Sequence, residues 1–371
     1  MNTKNIYHLG IKEIKALLQD PVMIFFIVYA FTLGIYTSAT AKPDVLKNTP
    51  IAIIDEDKSP LSQRISNSFY PPMFTNPDII NAQEMDKAMD KGKYTFALNI
   101  PPYFQRDVLQ GKDPAIQLNI DATRMGQAFS GGGYVQNIAL KEIYNFLAPN
   151  QSLTSSVDLN TRTLFNPNRY TLWFGAINEI INKITMLSIV ITGAALIRER
   201  EHGTIEHLLV MPITPVEIMF SKIWPMALVV FTVATFALLF IVQMILHIPL
   251  NGSLPLFLFC MLLQLWATTS LGIFLSTISK TMPQFGLLLV LLLLPLQILS
   301  GGVTPRESMP TFIQNIMLIA PNTHFVKISQ AILFRGAGIE VIWPSVIALI
   351  MIGSGLFFAS LYSFKRNGLQ T

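Results

Sequence analysis

This sequence has little charge. Between Lys222 and Arg306 the chain runs through 83 residues with a single charged side chain, Lys280. A charge at the centre of a membrane helix costs roughly 2.5 to 3.5 kcal/mol on insertion scales, so a run this apolar belongs in a lipid bilayer. Of the 371 residues only 13% are charged and 51% are hydrophobic, with a mean hydropathy of +0.47. Soluble chains carry about 25% charged residues. The composition predicts an α-helical polytopic membrane protein.

Other scarcities exclude other classes. Cysteine occurs once, at Cys260 inside an apolar run, so no internal disulfide can form. Any domain outside the membrane must then be held by its core alone. The net charge is +4, and the lysines and arginines are dispersed without an aromatic-rich basic stripe, which leaves nucleic acid without support as a partner. No histidine lies between His8 and His202, so a Ser-His-Asp set cannot be assembled there. A phosphate-binding Gly-x-x-x-x-Gly-Lys-[Ser/Thr] loop is missing too, since Gly92-Lys93 is followed by Tyr94 and Gly111-Lys112 by Asp113.

A span needs about 20 mostly apolar residues. Six candidates satisfy this: 22–41, 171–197, 223–246, 254–278, 284–302 with Pro295 as a kink, and 341–364. Ala39-Thr40-Ala41 resembles a signal-peptidase site, but an apolar stretch of about 20 residues exceeds the 7 to 15 of a signal peptide, which favours an uncleaved anchor. With both termini cytoplasmic, the inside segments hold Lys4, Lys12, Lys15, Arg198, Arg200, Lys222, Lys280, Lys365 and Arg366, and the short outside segments only Arg306, Lys327 and Arg335. Nine against three follows the positive-inside rule.

The expected division is an interfacial amphipathic helix in 1–20, a first span in 21–41, an extracytoplasmic α/β domain in 42–169, a transmembrane domain in 170–364 and a cytoplasmic tail in 365–371. Residues 5–19 place Tyr7, Ile11, Ile14 and Leu18 on one face, with Lys4, His8, Lys12 and Lys15 elsewhere. That suits a helix lying in the membrane surface, or a plain extension of the first span. In the inserted segment, strands are expected at 50–55, 94–100, 115–121 and 157–165, and helices at 60–69, 83–91, 101–110 and 127–147. Gly131-Gly-Gly133 is expected to be a flexible break in the last helix. Asp55, Glu56, Asp57, Asp86 and Asp90 lie in polar turns or on lysine-bearing faces, a solvated surface and no catalytic pair.

The densest polar information lies in 198–222. Thr214, Pro215 and Glu217 form an N-cap, a proline at the first helical position and a capping-box glutamate, so two short helices should meet at Pro212. Leu208, Leu209, Val210, Ile213 and Ile218 are more apolar surface than a tether requires. His202 and His207 are five apart without the His-Glu-x-x-His pattern, which disfavours zinc. Arg198 and Arg200 could serve only as positive-inside anchors. Within the spans, Glu179 and Lys183 sit four apart, either as a simple ion pair or as an external gate or contact to a polar substrate. Gln243, Gln264, Gln284 and Gln297 could line a path or join helices by hydrogen bonds.

The order Arg198-Glu-Arg-Glu-His-Gly203-Thr-Ile-Glu-His-Leu-Leu209, then Pro212 and Glu217-Ile218, resembles the signature of ABC-2 type exporter permeases. Nearly the whole chain shares the likeness: Ile100-Pro-Pro-Tyr-Phe104 and Asp121 in the insertion, Leu299-Ser-Gly-Gly-Val303 after the fifth span, and Pro305 to Pro310 leading into Ala320-Pro-Asn-Thr-His324. It is closest to bacterial drug-efflux-like permeases with a large periplasmic insertion. The resemblance implies an inner-membrane permease that exports a small amphipathic compound, drug-like or lipid-like. A separate cytoplasmic ABC ATPase would bind the ATP and Mg, and this chain no cofactor or metal. Residues Arg198, Glu199, Arg200, Glu201, Gly203, Thr204, Glu206, Leu208, Leu209, Pro212 and Glu217 would couple to that ATPase. Re-entrant external helices are implied in 304–340, and Glu179, Lys183, Gln297, Gly301 and Gly302 are candidates for a translocation path or gate. Six spans are half the family's usual twelve, implying a second permease copy or a paralogue, and a periplasmic adaptor or membrane-fusion protein is compatible with the insertion. The competing readings are a non-transporting receptor or scaffold whose external domain binds a ligand or envelope partner, and an intramembrane enzyme, disfavoured because no span carries paired aspartates or His-Glu-x-x-His.

Overall fold

A computed structural model describes residues 3–40, 46, 48–121, 123, 125–147, 165, 171–201, 203 and 213–368. The chain forms two compact units, one of Met1–Lys42 with Leu164–Thr371 and one of Pro43–Thr163. The first opens with α1 (Thr3–Leu18), α2 (Pro21–Phe31) and α3 (Leu33–Thr40). Asp20 starts α2, its carboxylate accepting from the Val22 and Met23 amides at 3.1 Å, with Pro21 at the first helical position. A bend at Thr32 separates α2 from α3.

The second unit is built on a four-stranded sheet of β1 (Ile51–Asp55), β2 (Asp78–Ile79), β3 (Phe96–Ile100) and β4 (Gln117–Ile120), in the order β2-β1-β3-β4. β1 is parallel to β2 and β3, and β4 is antiparallel to β3. An inner parallel strand is covered on both faces, which is why β1 is apolar at successive positions and Ile51, Ala52, Ile53 and Ile54 are all buried. Helices α4 (Pro60–Asn67), α5 (Ala82–Asp90), α6 (Phe104–Leu109) and α7 (Met125–Leu147) complete the unit. The acids of the first turn are structural: Asp55 accepts from the Lys58 amide at 2.8 Å and the Ser62 hydroxyl at 2.8 Å, and Asp57 from the Gln105 amide at 3.0 Å.

Contrary to the break expected from sequence, the triple glycine is helical. Gly131-Gly-Gly133 does not break α7, which runs unbroken through it. A Cβ on Gly131 would lie 2.2 Å from Cζ of Phe96, so the missing side chain lets the helix settle onto β3. The strand expected at 157–165 lies outside the described residues except for Phe165.

The helical unit resumes with α8 (Thr171–Glu201), α9 (Pro215–Phe236, continued as a π-helical segment Ala237–Ile245), α10 (Leu254–Ile278) and α11 (Met282–Ile298). Short turns lead through α12 (Thr311–Ile316) to α13 (Pro321–Ser329), which continues as a π-helical segment to Phe334, and the chain ends in α14 (Ile339–Gly368). Among the described residues, five segments are long and apolar enough to cross a membrane: Pro21–Thr40, Leu172–Glu201, Pro215–Ile245, Leu254–Ile278 and Ile339–Arg366. The fifth expected span, α11, has 17 residues and so falls short of that length, at about 25 Å for 1.5 Å per residue.

α8 and α10 form the centre of this unit. A Cβ on Gly272 would lie 2.6 Å from the Ile189 carbonyl, and one on Gly193 would lie 3.0 Å from the Gly272 carbonyl, so small residues bring the two backbones together. Gly353 of α14 packs likewise on Trp266 of α10. α13 begins deep in the unit: Asn322 accepts from Thr185 Oγ1 at 2.7 Å, a point 14 residues, about 21 Å, along α8. It then runs back to the α9–α10 turn, where the Asn251 amide donates to the Leu333 carbonyl at 2.9 Å.

Candidate functional site

The last turn of α8 carries Arg198, Glu199, Arg200 and Glu201, and each reaches a different part of the helical unit. Arg198 pairs with Asp20, the cap of α2, at 3.7 Å. Glu199 meets Lys222 of α9 at 2.6 Å and Lys12 of α1 at 3.6 Å. Arg200 donates from Nη1 to the carbonyls of Ser279, at 2.5 Å, and Ser276, at 3.2 Å, where α10 ends. Glu201 accepts from the Met282 amide, the first residue of α11, at 2.7 Å. Four consecutive side chains thus gather five helices. Gly203, at φ +68°, follows with its amide bonded to the Arg200 carbonyl, the left-handed closure that glycine provides at a helix end.

Lys222 is the buried member of this group. It is 2% exposed, and its ammonium lies 2.6 Å from both Glu13 and Glu199. An isolated buried ammonium would be strongly disfavoured, and two carboxylates at hydrogen-bond distance supply the compensation. Next to it, Trp224 donates from Nε1 to the Ile6 carbonyl at 3.2 Å and occupies the space above Gly10, where a Cβ would come within 2.2 Å of the indole. α1 therefore packs on α9 through Gly10 and Glu13 and through Tyr7, whose ring stacks on Trp224 at 6.2 Å between centroids, while Leu18 of the expected apolar stripe is exposed.

Glu217 is 3% exposed and its carboxylate accepts from the Thr214 amide at 2.9 Å, so it is the capping box of α9. Thr204, Glu206, Leu208, Leu209 and Pro212, with His202 and His207, lie outside the described residues. Of the intramembrane candidates, Glu179 and Lys183 pair at 3.8 Å, each about a quarter exposed. Gly302 lies against Asn178, whose Oδ1 would be 1.8 Å from an added Cβ, Gly301 takes φ +96°, and Gln297 is half-buried on α11. Gly302 and α8 are brought together, while Glu179 and Lys183 pair with each other along α8 and the Lys183 stem lies against Gly34 of α3.

A polar seam that the sequence did not single out runs along α8. Asn178, Asn182, Thr185, Ser188 and Thr192 follow one face of α8 and are all buried. Thr185 bonds Asn322 and receives Gln264 Nε2 at 3.2 Å, Ser188 donates to Thr268 at 2.7 Å, and Asn322 Nδ2 donates to the Leu296 carbonyl at 3.1 Å. Their helical spacing was the available signal. Among the described residues no group of histidine, cysteine and acidic side chains could hold a metal.

Comparison with known proteins places these features. The family model described as ABC-2 family transporter protein matches residues 21–362. The chain is 56% identical over 365 residues to the inner membrane transport permease YhhJ of Escherichia coli (strain K12), covering 98% of each chain. It is 28% identical over 359 residues to the probable multidrug ABC transporter permease YbhR of the same organism, covering 96% of this chain and 97% of that one. With the probable multidrug ABC transporter permease YbhS it shares 26% over 380 residues, covering 99% and 98%.

Proposed function

Because this chain belongs to the ABC-2 family of transporter permeases, we propose that it is the membrane subunit of an ATP-driven exporter that moves a small amphipathic compound, drug-like or lipid-like, out of the cytoplasm or the inner leaflet. It is a multi-pass inner-membrane permease of an ABC transporter, a transport subunit whose family implies an ABC ATPase partner. The exporter reading draws support from two relatives named as multidrug permeases.

The observation that carries the reading is the last turn of α8. Four side chains there hold α1, α2, α9, α10 and α11 immediately before the loop 202–212, so force applied to that loop reaches most of the unit. The coupling surface is then the loop itself, Thr204, Glu206, Leu208, Leu209 and Pro212 with Gly203, backed by the Arg198–Glu201 turn and the Glu217 cap. α11 acts as a sixth span, the termini and the 198–222 loop are cytoplasmic, and the α/β unit is an extracytoplasmic insertion. A second copy or a paralogue completes the pathway, a periplasmic adaptor is a compatible partner, and the chain itself holds no cofactor, ATP and Mg residing on the ATPase. Glu179, Lys183, Gln297, Gly301 and Gly302 are the proposed path or gate.

The test is co-purification with a Walker-motif ATPase encoded beside it, followed by hydrolysis measurements in lipid. A stable complex with lipid-dependent hydrolysis is expected. A permease that purifies without any ATPase would overturn the reading in favour of a receptor or scaffold.

A further inference from the structure

The junction between α10 and α11 is three residues long, Ser279, Lys280 and Thr281. A helix leaves its last carbonyls and its first N–H groups without partners, with partial negative charge at its C-terminus and partial positive charge at its N-terminus. Arg200 meets the first need and Glu201 the second, through the bonds to the Ser276 and Ser279 carbonyls and to the Met282 amide. Two neighbouring side chains of opposite sign thus grip two helix ends of opposite polarity. Exchanging their order would set like against like at both.

α11 depends on this grip more than its neighbours do. Leu287, Leu291, Leu294 and Ile298 are exposed, and Pro295 removes a backbone donor from its interior. Its far end is held by Asn322, which donates to the Leu296 carbonyl. At its near end α8 meets it twice: the buried ring of Phe285 rests on Gly193, and the Glu201 carboxylate accepts from the Met282 amide, the polar contact that holds the first turn.

We propose that Arg200 and Glu201 are positioning residues that clamp α11 to the last turn of α8, so that α11 follows any displacement of that turn. The source of the displacement rests on the ATPase-coupled reading above, whereas the clamp itself does not. The assignment differs from a role in touching the ATPase: both groups are turned toward the permease's own backbone.

Hydrogen–deuterium exchange of the full-length permease in lipid nanodiscs tests the clamp. Glu201→Ala and Arg200→Ala should speed exchange of amides 282–287 by about tenfold or more, as loss of a charge-assisted hydrogen bond would, with 260–270 unchanged. Glu201→Gln keeps an acceptor oxygen and should restore most of the protection. If Glu201→Ala fails to fold, Arg200→Lys against Arg200→Gln gives the same comparison. In the permease–ATPase complex, trapping with ATP and vanadate should alter exchange of 282–287 in the wild type and the glutamine variant but not in Glu201→Ala. An alanine variant with wild-type protection, or with the full nucleotide response, overturns the clamp. If the wild type forms no ATPase complex, the transporter reading fails, and the nucleotide-free comparison still decides the clamp.

Discussion

The Lys222 ammonium and the Glu13 carboxylate meet at 2.6 Å across 209 residues of sequence, and neither is more than 7% exposed. A local period cannot reveal such a pair. It fixes the N-terminal helix against the start of α9, and Glu199 joins it from the end of α8.

Removing the cation should therefore cost more than removing one anion. Lys222→Met leaves the buried Glu13 carboxylate facing Glu199 with only the exposed Lys12 ammonium, 3.6 Å from Glu199, as a remaining cation, an expected loss of about 3–5 kcal/mol. Glu13→Gln keeps Lys222 paired with Glu199 and should cost less. Apparent melting temperatures of the purified permease should fall in the order wild type, Glu13→Gln, Lys222→Met. The reverse order would mean that the ion pairs contribute little to holding α1.

Topology can be tested without first removing the native thiol, because Cys260 is fully buried. A cysteine at exposed Gln83 should react with a membrane-impermeant maleimide in spheroplasts, and one at exposed Lys280 only after the membrane is opened. Ser59 and Thr214 are poor labelling sites, since each caps a helix with its side-chain oxygen. Labelling of Lys280→Cys in intact spheroplasts would invert the proposed orientation.

What the sequence made legible was local. The apolar runs gave the span candidates, and Thr214 announced the start of α9 because a cap is written in three or four neighbouring residues. What it hid was set by distant partners. Glu13 has nothing in its neighbours to single it out among the lysines of α1, yet it faces inward because Lys222 is there. Gly131 looked like a break, yet the ring of Phe96 makes it a contact point. The Arg198–Glu201 run looked like a surface for another protein, and its four side chains engage this chain's own helices. The stripe Asn178, Asn182, Thr185, Ser188 and Thr192 was legible in principle and was overshadowed by the charges of Glu179 and Lys183 beside it.

The glycine contacts predict specific intolerance. Gly302→Ala would place a Cβ 2.6 Å from Cγ of Asn178 and 1.8 Å from its Oδ1, so a backbone or side chain must move. Overpacking of this kind costs about 1–3 kcal/mol. Asn178→Ala should restore part of the lost melting temperature in the double variant, since it removes the colliding amide. Additive losses would show that the two residues do not meet.

A similar argument separates the coupling loop from its structural frame. Glu217→Ala removes half of a capping box and should lower stability by about 1 kcal/mol, because the Thr214 amide loses its partner. Its effect on ATPase binding should be small and indirect, as the side chain is buried. Replacing Glu206 by alanine with Leu208 and Leu209 by serine removes a charge and two apolar groups from the loop proposed to touch the ATPase. That triple variant should melt as the wild type does and lose most of its co-purifying ATPase. If instead Glu217→Ala releases the ATPase at unchanged stability while the triple variant retains it, the contact lies at the start of α9 and not in the loop.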